Sequence, residues 1–263
     1  MHAVRRTLAA APLLLSFAVA ALPARGEDAP SAPAEKETKS EAAPKEASRA
    51  KVKLPDGRVC REQSPQPFLI RGNWFPKTKD PEKLKEARKM LEDAIRYRTE
   101  KYGYFEGFGS PKLNPKAPKD YAKSTTFMGL TVRVHEKIIP ALKCVEAALK
   151  SSPAGEEYKP KTIGGIRFKN TYRGVEVSNH VYGIAIDIEP DRNTCCGCVA
   201  PWNEHPLCKQ KGKTVWERMA MPRSWVETFE RFGFYWLGHD VLQDTMHFEF
   251  LGDPDKILEE PEQ

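Results

Sequence analysis

The stretch Ser178-Asn179-His180-Val181-Tyr182-Gly183-Ile184-Ala185-Ile186-Asp187 decides the reading of this chain, together with Asp244-Thr245-Met246-His247-Phe248-Glu249 further along. Over Val181–Ile188 the alternation predicts a strand, with Ile184, Ile186 and Ile188 on one face and Gly183, Ala185 and Asp187 on the other. Met246–Phe250 repeats the pattern: Met246, Phe248 and Phe250 face one way, His247 and Glu249 the other. Each strand thus keeps one face for a core and one for chemistry. The small Gly183 and Ala185 leave room for His180 to fold toward Asp187.

His180, Asp187 and His247 offer two imidazoles and a carboxylate to one ion. Three protein ligands with an open fourth position is the arrangement of a catalytic zinc site rather than a structural one. A water in that position acquires a pKa near 7 and becomes a nucleophile at neutral pH. Asp244, three residues before His247, is the candidate base for that water's proton. Glu249 and Ser178 fit as groups that orient the ligands, Glu249 through an imidazole. One zinc ion is the expected cofactor, although two histidines and one carboxylate also suit iron.

Outward from these strands, Thr214–Phe232 reads as a helix with Trp216, Met219, Trp225, Phe229 and Phe232 as core candidates, ended by Gly233. Pro81–Lys101 reads as a charged amphipathic helix with Leu84, Ala87, Met90, Leu91, Ala94 and Ile95 at helical spacing, bounded by Pro81 and Gly103. A further helix is expected over Val134–Lys150, kinked or divided at Pro140, with an irregular loop over Gly103–Lys123. These helices are expected to serve packing alone. Helices grouped beside a small antiparallel sheet that carries the metal site make an α+β fold.

The N-terminus lies outside that fold. Arg5 and Arg6 precede the apolar run Leu8–Leu22, and small residues with Pro23 follow, so residues 1–26 read as a secretory signal peptide. A membrane anchor is the alternative, but the run is shorter than the roughly 20 apolar residues of a span, and Pro12 interrupts it. Residues 27–51 are Ala, Pro, Glu, Lys and Ser without an aromatic, the composition of a disordered linker. The formal charge of +6 is spread along the chain rather than clustered. Nucleic acid is therefore not an expected partner, whereas the polyanionic cell envelope is. Six cysteines, Cys60, Cys144, Cys195, Cys196, Cys198 and Cys208, read in an exported chain as disulfides, with fifteen pairings open. The Cys195/Cys198 spacing leaves a second zinc as the rival.

The paired motifs SxHxxGxAxD and DxxHFE, carried by Ser178, His180, Gly183, Ala185 and Asp187 and by Asp244, His247, Phe248 and Glu249, resemble those of the zinc D-alanyl-D-alanine carboxypeptidases and L-alanyl-D-glutamate endopeptidases of peptidoglycan. The resemblance spans about Lys137–Leu251 and implies the Hedgehog/DD-peptidase fold, zinc at His180, Asp187 and His247, and Asp244 as base. Many carboxypeptidases of the family carry Glu at the base position, and the Asp here is more similar to the endopeptidase branch. The family also places an oxyanion-stabilising arginine upstream, for which Arg173 in Tyr172-Arg173-Gly174 is first choice and Arg167 the reserve. Phe234-Tyr235-Trp236-Leu237-Gly238 resembles the family's aromatic stretch, so Tyr235 or Trp236 is expected to line the substrate cleft.

The expected organisation is a partly helical N-terminal extension over 52–130 and a zinc peptidase domain over 131–256, with a cysteine-rich insertion at 191–212. The expected function is an exported metallopeptidase, periplasmic or extracellular, acting on peptidoglycan stem peptides, with no membrane insertion once the signal is cleaved. Two alternatives stand beside it: a zinc-containing module that binds wall material or a protein without cleaving it, and a disulfide-rich envelope protein without metal. Oligomeric state and the bond cleaved are not legible in the sequence.

Overall fold

Four short strands form an antiparallel sheet in the order β3-β4-β6-β5, where β3 is Ile163–Gly164, β4 Ala185–Ile188, β5 Phe234–Trp236 and β6 His247–Phe250. The computed structural model describes residues 50–172 and 176–259. The expected signal peptide and nearly all of the expected linker lie outside the described residues. In the sheet Asp187 stands opposite His247, Ala185 opposite Glu249, and Glu249 opposite Tyr235. The other face carries Ile186, Ile188, Phe248, Phe250, Phe234 and Trp236, all buried.

That apolar face packs on α2 (Ile139–Lys150) and α5 (Arg223–Arg231), with Phe229 stacked on Phe248 at 4.2 Å between ring centroids. Burying one Phe contributes about 2 kcal/mol, so the several aromatics on this face fix the register firmly. A slip by one residue would turn Phe248 and Phe250 to the polar face and remove His247 and Glu249 from it.

The first expected strand is shorter than its alternation suggests. Residues 178–184 form a tight turn, closed by bonds from Val181 N–H to Ser178 O, Gly183 N–H to His180 O and Ile184 N–H to Asn179 O, and only Ala185–Ile188 is strand. Gly183 makes the turn possible at φ 69, and a Cβ there would lie 2.8 Å from the His135 backbone nitrogen.

Two further expectations are corrected. Val134 and His135, expected to open a helix, instead end a strand, β2 (Leu130–His135), which is paired in a hairpin with β1 (Ala122–Phe127). The Thr131-Val132-Arg133-Val134 segment alternates and is β-branched, which suits a pleated strand. Helix α2 begins only at Ile139, and Pro140 sits in its first turn rather than kinking it. The expected helix over Thr214–Phe232 is two, α4 (Val215–Arg218) and α5, because Met219 is extended and Pro222 caps the second. A one-turn helix α3 (Ala154–Glu157) precedes β3.

Helix α1 (Pro81–Tyr102) starts on an Asp80 cap that accepts from Glu82 N–H and ends at Gly103. It packs mainly through its C-terminal half, so Ala87, Ala94, Arg98, Thr99 and Tyr102 are buried while Leu84 is 44% exposed. The cysteines pair as Cys60–Cys144, Cys195–Cys198 and Cys196–Cys208. The first of these joins the expected N-terminal extension to α2, and the expected boundary near residue 130 falls in the turn of the β1–β2 hairpin.

Candidate metal centre

Register and turn together bring three donor atoms to one point. His247 Nδ1 lies 2.8 Å from Asp187 Oδ1, His180 Nε2 lies 3.2 Å from the same oxygen, and the two imidazole nitrogens are 3.1 Å apart. His180, Asp187 and His247 are 1%, 6% and 4% exposed. The far side of each imidazole is occupied. His180 Nδ1–H donates to Gly165 O at 2.7 Å, and His247 Nε2–H donates to Glu249 Oε1 at 3.1 Å. With the outer nitrogens so engaged, each ring turns its other nitrogen toward Asp187, where it donates a proton to the carboxylate or, with that proton displaced, offers a lone pair to a metal ion. Two imidazole nitrogens and a carboxylate oxygen so converged can hold a metal ion, and the donor set suits zinc.

Gly165 escaped the sequence reading. Its carbonyl reaches His180 because its own Cβ would stand 2.2 Å from Arg133 O, a space only glycine leaves. The Gly164-Gly165 pair was the one signal for it.

The electrostatics follow from burial and from these bonds. Burial alone would raise the Asp187 carboxyl, but the bonds and charges of His180 and His247 hold it well below the usual carboxylate range. Burial depresses His180. His247 is also disfavoured by burial, yet its bonds to Asp187 and Glu249 raise its pKa well above that of free imidazole. Glu249 is kept low against burial by His247, Asn179 and the charge of Arg98.

Asp244 is different. Burial dominates and pushes its carboxyl up to about 6. Among the described residues its buried Oδ1 has no hydrogen-bond partner, a costly arrangement that marks a group kept for something other than stability. The cysteine-rich insertion positions it: Cys195 forms a β-bridge with Asp244, and Thr194 O accepts from Thr245 N–H.

Arg167 pairs with Asp187 Oδ2 and borders a cavity of about 600 Å³ whose walls include Tyr104, Phe105, Pro118, Phe168 and Val181. Arg173 lies outside the described residues. Ser178 is buried, and its Oγ accepts from His180 N–H at a long 3.4 Å. Tyr235 is half-buried on the polar face opposite Glu249. Trp236 is not in a cleft: it leaves the core face, packs on Trp216 at 4.5 Å and donates its indole N–H to Thr245 O. The strand's period of two sends these neighbours to opposite sides. Tyr172 escaped notice in its own right; burial and the charges of Glu249 and Asp244 raise its hydroxyl pKa.

Fold and site define a mixed α+β protein with a buried two-histidine, one-aspartate centre beside a partnerless carboxyl. The profile of a family described as D-alanyl-D-alanine carboxypeptidase matches residues 172–250, which contain all three donors and Asp244. The matched segment is under a third of the chain, and over it the chain is similar to that family. No curated protein and no solved structure gives a significant match to the chain. Among the described residues no helix is long and apolar enough to cross a membrane.

Proposed function

We propose that the protein is an exported zinc peptidase that hydrolyses peptide bonds in peptidoglycan stem peptides. The observation that carries this reading is the convergence of His180 Nε2, His247 Nδ1 and Asp187 Oδ1, with both imidazole tautomers fixed from behind. Zinc held there supplies Lewis acidity to a peptide carbonyl and lowers the pKa of water.

The chain's own residues supply the rest. Asp244, with a pKa near 6, is ionised at neutral pH and takes a proton from water, then returns it to the leaving amine. Positive charge for the developing oxyanion comes from Arg173, or from Arg167 beside Asp187. Tyr235 borders the polar face, and the cavity beside Arg167 gives room for substrate on one side of the scissile bond. Three disulfides and an N-terminal run of signal-peptide character support an oxidising, extracytoplasmic location.

The unpartnered Asp244 favours an enzyme over a binding module, since binding alone does not call for a desolvated base at that place. Mass spectrometry of muropeptides incubated with the protein, with and without a chelator, tests the reading. Chelator-sensitive loss of one D-Ala identifies a carboxypeptidase, and a cut after L-Ala identifies an endopeptidase. Intact muropeptides from zinc-loaded protein would replace the peptidase with a binding module.

A further inference from the structure

Helix α1 lies outside the matched segment, yet it sends one charged side chain toward the centre. Arg98 is 2% exposed, and its guanidinium lies between the rings of Trp74, 5.1 Å away, and Tyr182, 5.2 Å away. It donates from Nε to Ala94 O at 3.2 Å, and from Nη1 to Val177 O at 3.2 Å and Asn179 Oδ1 at 3.1 Å. No carboxylate touches it among the described residues. A buried guanidinium without a contacting counter-ion is costly, and although the two ring faces offset part of that cost, the packing of α1 does not itself require a charge.

The bond to Asn179 shows where the charge is directed. Asn179 Oδ1 accepts from Arg98, and the Asn179 amide and the Arg98 charge both favour the ionised form of Glu249, which makes Glu249 the next link. Glu249 accepts Nε2–H of His247, and His247 thereby turns Nδ1 toward Asp187 and His180. The links run Arg98, Asn179, Glu249, His247, each buried. Asn179 and Tyr182, both in contact with the guanidinium, sit in the same tight turn as His180, so one guanidinium braces both histidines.

We propose that Arg98 is a positioning residue of the metal centre, acting through Asn179 and Glu249 to fix the His247 imidazole, so that the N-terminal extension completes the site. The inference rests on the metallopeptidase reading. Arg98 touches neither metal nor substrate; it restrains the groups that orient a ligand. Such outer partners typically change metal affinity by about ten- to a hundredfold when removed.

The test uses the intact protein and its Arg98→Lys and Asn179→Ala variants, each alone and combined with Glu249→Gln. Zinc affinity is read by competition with a chromophoric chelator, and folding by near-ultraviolet circular dichroism. Arg98→Lys and Asn179→Ala are each expected to weaken zinc binding about tenfold. In the Glu249→Gln background the same changes are expected to cost less than about twofold, because the path is already cut.

Wild-type affinity in both single variants, or losses that multiply undiminished in the Glu249→Gln background, would overturn the proposal. Should the Arg98 variant not fold, Asn179→Ala still cuts the path with the guanidinium in place. If wild-type protein binds no zinc, the metallopeptidase reading fails separately. The path itself is then read in metal-free protein by the His247 Nε2–H proton resonance, which Asn179→Ala shifts or exposes to exchange if the path exists and leaves alone if it does not.

Discussion

Asp244 and His135 are both buried titratable groups, and they call for different experiments. Asp244 faces the site, so Asp244→Asn is expected to lower muropeptide hydrolysis about a thousandfold while zinc content stays at one ion per chain. Turnover within tenfold of the parent would remove Asp244 as the base. His135 lies away from the donors, its ring flanked by Tyr102 and Tyr121 and its Nδ1 accepting from Lys137 N–H. Burial lowers its pKa from 6.5 to about 4. Between those values the unfolded chain holds a proton that the folded chain does not. Stability is therefore full above pH 6.5 and is lost as pH falls toward 4, by up to about 3 kcal/mol. Melting temperature measured across that window should fall steeply for the parent and much less for His135→Gln; equal slopes would contradict the assignment.

At the scale of elements, the turn over 178–184 is the most sensitive part. Gly183→Ala places a Cβ against the His135 backbone at φ 69, and on the order of 2 kcal/mol of stability should be lost. Zinc affinity should fall with it, since the turn carries His180; unchanged melting and affinity would show that the turn can rearrange. This turn also marks the limit of what the sequence discloses. Strand alternation made β4 and β6 legible, because a period of two needs only neighbouring residues. The β1–β2 hairpin was hidden because its turn, Phe127-Met128-Gly129-Leu130, puts Met128 at φ 48 where Asn or Asp is usual. Apolar residues of β2 then ran on into α2, and the two periods blurred together. Arg98 was hidden for another reason: on a helix full of Lys, Arg and Glu, nothing local distinguishes the one cation that is buried. Its partners Val177 and Asn179 lie about eighty residues on.

For the whole molecule, Cys60–Cys144 closes a loop of 84 residues between the extension and α2. Its removal by Cys60→Ser with Cys144→Ser, which leaves the other two disulfides in place, should cost about 4 kcal/mol, seen as a lower melting temperature; an unchanged melt would show that the bridge adds nothing. A fragment restricted to 131–256 would lack β1, α1 and Arg98, and is expected to stay unfolded by circular dichroism; a cooperative melt from that fragment would make the extension dispensable. The position of the donors along the chain has one more consequence. His180 and Asp187 are made early and close together, but Asp187 meets His247 across a separation of 60 residues. A polypeptide growing from its N-terminus therefore offers only a two-pronged grip until His247 has been synthesised. Ions met before then dissociate easily, and the ion that stays is the one captured after β4 and β6 have zipped together. If the centre takes a metal as proposed, the protein is folded first and loaded last, in whatever compartment that final step takes place.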